Sequence, residues 1–125
     1  MMVLADTSIW VAHFRQHNEA LAELIDADRL LVHPMVVGEL ACGTPPRRDQ
    51  LFSDLEVIQR SHQATVREVV RFIERERLFG RGCGLVDLTL LASTLMTPGA
   101  VLWTLDQRLA DLAEPLGMLY RPAVH

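Results

Sequence analysis

Three short apolar runs constrain this chain most: Met2-Val3-Leu4-Ala5, Leu30-Leu31-Val32-His33 and Ala100-Val101-Leu102-Trp103. None alternates apolar with polar side chains, so none suits a strand with one face in water. Such runs fit strands buried on both faces of a parallel sheet, and parallel neighbours need helical crossovers between them. The intervening sequence supplies helices. Thr7 or Ser8 can cap one that carries Ile9, Trp10, Ala12 and Phe14. Asn18 starts an amphipathic stretch with Leu21, Leu24 and Ile25 on one side. Pro34 suits the first turn of a helix holding Val36, Val37, Glu39, Leu40 and Ala41, which ends near Gly43-Thr44-Pro45-Pro46.

A helix with Leu51, Phe52 and Leu55 follows, then a minor strand at Val57-Ile58. Gln63 to Phe79 reads as a longer helix with Val66, Val69, Val70, Ile73 and Leu78 as its stripe. After the break Gly80–Gly84, Leu85 to Met96 is apolar enough for a buried helix. Asp106 to Leu116 is amphipathic, and Met118-Leu119-Tyr120 reads as a last strand. The whole is an α/β fold with a short, mostly parallel sheet flanked by helices, in one domain spanning residues 1–125.

Composition narrows the function. Half the residues are hydrophobic, enough to build a core. All 12 basic residues are Arg, and there is no Lys. A Walker A loop, a Schiff-base enzyme and a receiver domain all need a lysine and are excluded. The net charge of −4 excludes a simple basic nucleic-acid coat. Cys42 and Cys83 form neither a CxxC pair nor a disulfide framework. Met1 to Asp6 is too short and too soon acidic for a signal peptide. The uncharged run Leu88–Leu105 is broken by Pro98-Gly99 and interrupted by hydroxyls, so it reads as helix, turn and strand and not as a membrane span. A cytoplasmic, soluble protein is expected.

Ligands of such sheets bind at the carboxyl ends of the strands. Asp6 ends the first strand, and Asp106 lies just past the Ala100–Trp103 strand. Glu39 and Asp87 lie in the first turns of helices whose N-termini share that edge. Each acid has a simple structural reading: Asp6 and Asp106 as helix caps, Asp87 as a partner of the helix dipole, Glu39 as a solvated side chain. Together those readings require four coincidences on one edge. No Arg lies within two residues of Asp6, Glu39 or Asp87 to offset the charge. Converging carboxylates without an internal cation point to a divalent metal, and oxygen ligands suit Mg²⁺ or Mn²⁺ better than Zn²⁺.

The ordered set Asp6-Thr7-Ser8, Gly38-Glu39-Leu40, Gly84-Leu85-Val86-Asp87 and Thr104-Leu105-Asp106 resembles PIN-domain ribonucleases, most of all the VapC toxins of toxin–antitoxin pairs. The resemblance covers essentially the whole chain and retains all of the family's acidic positions. It implies a PIN-like three-layer fold and a metal-dependent endoribonuclease that leaves 5′-phosphate and 3′-hydroxyl ends. It also implies a cognate antitoxin partner and a toxin homodimer. Asp6 and Asp87 would bind one Mg²⁺ directly, with Asp106 and Glu39 completing the site. Thr104 is a candidate hydroxyl for orienting a carboxylate or water, and Ser8 another. Arg81, in the glycine break, is a candidate phosphate contact. The antitoxin would lie in a groove between the two helices that follow the first strand.

Other groupings carry less. Arg67, Arg71 and Arg75 form a ridge interleaved with Glu68, Glu74 and Glu76, which reads as a solvated face. Arg47-Arg48 is a second, weaker phosphate-contact candidate. His13 and His17 have metal-ligand spacing but no third ligand in register. Trp10 and Trp103 read as core. A haloacid-dehalogenase-like phosphatase also begins with a strand-end Asp, but needs a second Asp where Ser8 stands. A PIN-like module that binds RNA or protein without cutting is the other alternative.

Overall fold

The computed structural model describes residues 1–123. The element order is β1 (Met2–Ala5), α1 (Thr7–Arg15), α2 (Glu19–Asp26), β2 (Leu30–Leu31), α3 (Pro34–Cys42), α4 (Arg48–Val57), α5 (Val66–Glu76), α6 (Leu85–Leu95), β3 (Ala100–Trp103) and α7 (Gln107–Ala113), which tightens into a 3₁₀ turn at Glu114–Leu116. The three strands are all parallel, in the order β2-β1-β3. Val3, Leu4 and Ala5 of the central strand are fully buried, as its unbroken apolar run requires.

This order decides where a site can form. The chain leaves β1 to one side for β2, then crosses back over β1 to reach β3. The carboxyl end of β1 is therefore the point at which the crossovers diverge, where α/β sheets leave a crevice. Asp6 is the first residue past that end, and its N–H bonds to the Trp103 carbonyl of β3 at 3.0 Å.

Burying α6 forces its polar side chains to find partners inside the molecule. Thr89 and Thr94 donate to the carbonyls of Leu85 and Leu90 one turn back, at 2.7 and 2.8 Å. The Ser93 hydroxyl accepts from the Ala64 N–H at 3.0 Å and pairs with His33 Nε2 at 3.1 Å. His33 Nδ1 accepts from the Met35 N–H at 3.0 Å, so the ring caps α3 and its proton sits on Nε2, which donates to Ser93. Burial pushes the His33 pKa down. The run Leu88–Leu105 divides into α6, a turn and β3, and among the described residues no helix is long and apolar enough to cross a membrane.

Several local expectations change. The cap of α1 is Asp6, whose carboxylate accepts from the Ile9 N–H; Thr7 is already helical, so neither Thr7 nor Ser8 takes that role. The strand expected over Leu30–His33 stops at Leu31, and Val32 makes only a single bridge, to Arg60. Val57 closes α4 and Ile58 caps it, so no strand forms there. The helix expected over 63–79 is trimmed to Val66–Glu76 by a capping box between Thr65 and Glu68 and by Arg77 in the left-handed conformation. It buries Val69 and Phe72, whereas Val66 and Val70 of the expected stripe are exposed. Leu119 makes one bridge with Leu102 in place of a strand over 118–120.

Candidate active site

Asp6 is 4% exposed, and its carboxylate is closely held. Ser8 donates to one oxygen and Thr104 to the other. The Ile9 N–H adds a third bond at 3.3 Å. The two hydroxyls are themselves fixed: Ser8 Oγ accepts from the Leu105 N–H and Thr104 Oγ1 from the Asp106 N–H, each at 3.0 Å. Segments nearly one hundred residues apart in sequence thus lock onto one carboxylate. Burial pushes the Asp6 pKa up, and the Ser8 and Thr104 hydrogen bonds oppose it.

Asp87 stands in the first turn of α6, half-buried. Its pKa is raised by burial first, and then by the charges of Asp106, Asp6 and Glu39. The charges of the other three acids thus act on Asp87 in the same direction as burial. Asp106 caps α7, one oxygen accepting from the Arg108 and Leu109 N–H groups at 2.9 and 3.2 Å. Glu39, exposed on α3, accepts from the Thr7 hydroxyl at 2.5 Å. The capping readings of Asp6 and Asp106 therefore hold, each carboxylate accepting from backbone N–H groups of the helix that follows it.

Among the described residues, ion pairs form at Arg75–Glu76 and Arg121–Glu114, His17 Nε2 lies 3.3 Å from Glu19, and none of these reaches the four acids. Also among the described residues, no three His, Cys, Asp or Glu side chains are close enough as they stand to hold an ion. The fit to a divalent cation rests on two observations. The donors are all carboxylate oxygen, and among the described residues no Arg pairs with any of the four acids.

The sequence fits the PIN domain over residues 3–115. The chain belongs to the PIN domain family. This PIN domain is 43% identical over 117 residues to Ribonuclease VapC32 of Mycobacterium tuberculosis, in two strains, with 94% of each chain covered. It therefore lies among the VapC-type members of the family. A crystal structure of PAE2754 from Pyrobaculum aerophilum superposes with a TM-score of 0.63 at 18% identity, covering 95% of this chain and 83% of that one. That likeness is one of fold.

The structure brings Asp6, Ser8 and Thr104 into one bonded unit, and Asp87, Asp106 and Glu39 into its electrostatic reach. Arg81 is exposed in the glycine loop of this PIN domain, near enough for its charge to act on Cys83, as do Asp87 and Asp106. Arg48 is engaged elsewhere, donating to the Ala41 and Gly43 carbonyls and lying 5.0 Å over the Phe52 ring. Arg75 likewise lies 5.7 Å over Phe72 and pairs with Glu76. His13 accepts from the Asn18 N–H and His17 pairs with Glu19, so the two rings serve local structure. A groove lies between α1 and α3, whereas the sequence points to the two helices that follow β1. A cavity of about 370 Å³ there is lined by Thr7, Val11, Phe14, Glu39, Leu40 and Pro45, so it opens beside the acidic edge.

Two residues escaped the sequence pattern. Thr7, which orients Glu39, was legible only as a cap. Arg108 carries no motif of its own in the sequence; its only signal is its place two residues after the helix-capping Asp106, in the first turn of α7.

Proposed function

We propose that this protein is a divalent-metal-dependent endoribonuclease, the toxin of a toxin–antitoxin pair, working as a single PIN domain. The observation that carries this reading is the cluster of four carboxylates without a paired cation at the end of the central strand, in a chain 43% identical to a VapC ribonuclease. Asp6, Asp87 and Asp106, with Glu39, would hold Mg²⁺ or Mn²⁺. When bound, such an ion supplies charge neutralisation at the scissile phosphate and acidifies water, so that hydrolysis proceeds near neutral pH.

The chain's own residues do the rest. Thr104 and Ser8 keep both Asp6 oxygens oriented before any ligand arrives, which avoids reorganisation during the reaction, and their hydrogen bonds favour the charged form against the effect of burial. Thr7 steers Glu39 toward the cluster. Arg81 offers a donor fork to a substrate phosphate. Hydrolysis in line with the P–O3′ bond would leave a 5′-phosphate and a 3′-hydroxyl. The antitoxin would cover the groove between α1 and α3, which reaches Thr7 and Glu39. On the family resemblance we extend the reading to a homodimer acting in the cytoplasm.

The test is cleavage of a labelled RNA with Mg²⁺, with EDTA, and with Asp6→Asn and Asp87→Asn proteins shown by circular dichroism to be folded. Cleavage that EDTA stops and each substitution lowers at least ~10²-fold is the expected result. RNA that is bound but never shortened would favour the non-cleaving module.

A further inference from the structure

The glycine loop carries a close contact that the acid cluster alone does not explain. Gly82 has φ +86°, a conformation open to few residues besides glycine. A Cβ built there would lie 2.9 Å from Arg108 Cδ, 3.1 Å from its Nη1 and 3.3 Å from its Nε. The Arg108 side chain is therefore laid flat on the loop backbone in space that only glycine leaves free. Its own N–H is bound by Asp106, so both ends of the residue are tied, one to the acid on α7 and one to the loop leading into Asp87.

The guanidinium itself is uncommitted. Among the described residues it makes no ion pair and no side-chain hydrogen bond, although Asp87 and Asp106 share its surroundings. Arg48, Arg75 and Arg121 all have protein partners. A bidentate donor fork held without a partner beside carboxylates suits an anion that arrives with the substrate.

We propose that Arg108, packed on Gly82, grips a phosphate of the bound RNA and sets its backbone at the acidic edge. The inference rests on the nuclease reading. Arg108 is favoured over Arg81 because it is packed on Gly82, whereas Arg81 is an exposed loop residue whose side chain must be ordered on binding. Gly82 acts through Arg108 and is a positioning residue.

The experiment uses the full chain and a 5′-labelled single-stranded oligoribonucleotide. Cleavage is followed with Mg²⁺ across a salt series, and binding by fluorescence anisotropy with Ca²⁺ in place of Mg²⁺. Arg108→Ala should raise KM and Kd about tenfold with kcat nearly unchanged, and should lower the log Kd against log salt slope by about 0.7. Arg108→Lys should recover part of the affinity, since it keeps the charge and loses the fork. Gly82→Asn tolerates positive φ but adds a Cβ, so it should reproduce most of the Arg108→Ala loss while Gly80→Asn does not. Unchanged KM, Kd and salt slope in folded Arg108→Ala overturn the proposal. So does a loss confined to kcat with a shifted acid limb, which would make Arg108 an internal counter-charge. Wild-type protein that binds without cutting overturns the nuclease reading while the anisotropy still decides Arg108. Wild-type protein that does neither overturns both.

Discussion

Asp6 and Asp87 occupy the same edge and share a raised pKa with burial as its largest cause, yet they are built in opposite ways. Around Asp6, hydroxyls from Ser8 and Thr104 and a backbone N–H relieve the burial. Around Asp87, the next influences are three carboxylates that aggravate it. One acid is held by hydrogen bonds from the protein, and the other faces burial and like charge. On the proposed function, the difference would let a small domain keep an anionic edge folded, with one acid satisfied internally and the other left where a bound cation would relieve it.

The largest test of this contrast is catalytic and thermal together. Asp6→Asn and Asp87→Asn should both lower cleavage at least ~10²-fold, but in EDTA only Asp87→Asn should raise Tm, because it removes repulsion without removing hydroxyl bonds. A lower Tm for Asp87→Asn would break the contrast. Next in size is Thr104→Val, which deletes the donor to Asp6 and orphans the Asp106 N–H. Chemical denaturation should show a loss of about 1–3 kcal/mol, and the acid limb of activity should move to higher pH as Asp6 becomes easier to protonate.

The metal-free pH profile gives a smaller effect. The folded pKa of Asp87 lies above its ordinary value of 3.8, so the folded state holds its proton more tightly. Stability from this group is full below pH 3.8 and is lost as pH rises through the folded pKa; Asp6 acts in the same sense. Added Mg²⁺ should reverse that loss at neutral pH, and thermal scans with and without it would read the reversal. Smallest is the buried cap of α3. The His33 pKa is lowered, so its contribution is full above 6.5 and falls away as pH drops through the folded value. A proton on Nδ1 would face the Met35 N–H it now accepts from. His33→Asn, which can still cap, should flatten that acid-side loss; an unchanged profile would remove His33 from the account.

Much of this was legible in the chain because it follows from local rules. Unalternating apolar runs located β1 and β3, Asn18 capped α2, and Pro34 opened α3, as expected. The misplacements have a common cause. At Val57-Ile58 and Met118–Tyr120 the residues suit a strand, but whether one forms depends on a neighbour's free edge, and only single bridges were on offer near them. Along α5 the stripe was misjudged because Phe72, not Val70, faces the core, a matter of helix rotation against α6 that spacing alone leaves open.

The division is sharpest at the site. The sequence by itself determined which carboxylates lie on the candidate edge. Carboxylates at strand ends and helix starts are placed on one edge of a parallel sheet, since crossover helices run back against the strands. Only the tertiary structure decided how each is used. The hydrogen bond from Thr104 to Asp6 and the packing of Arg108 on Gly82 join segments far apart in the chain. Such contacts depend on angstrom-scale approach between elements, which residue order does not encode locally.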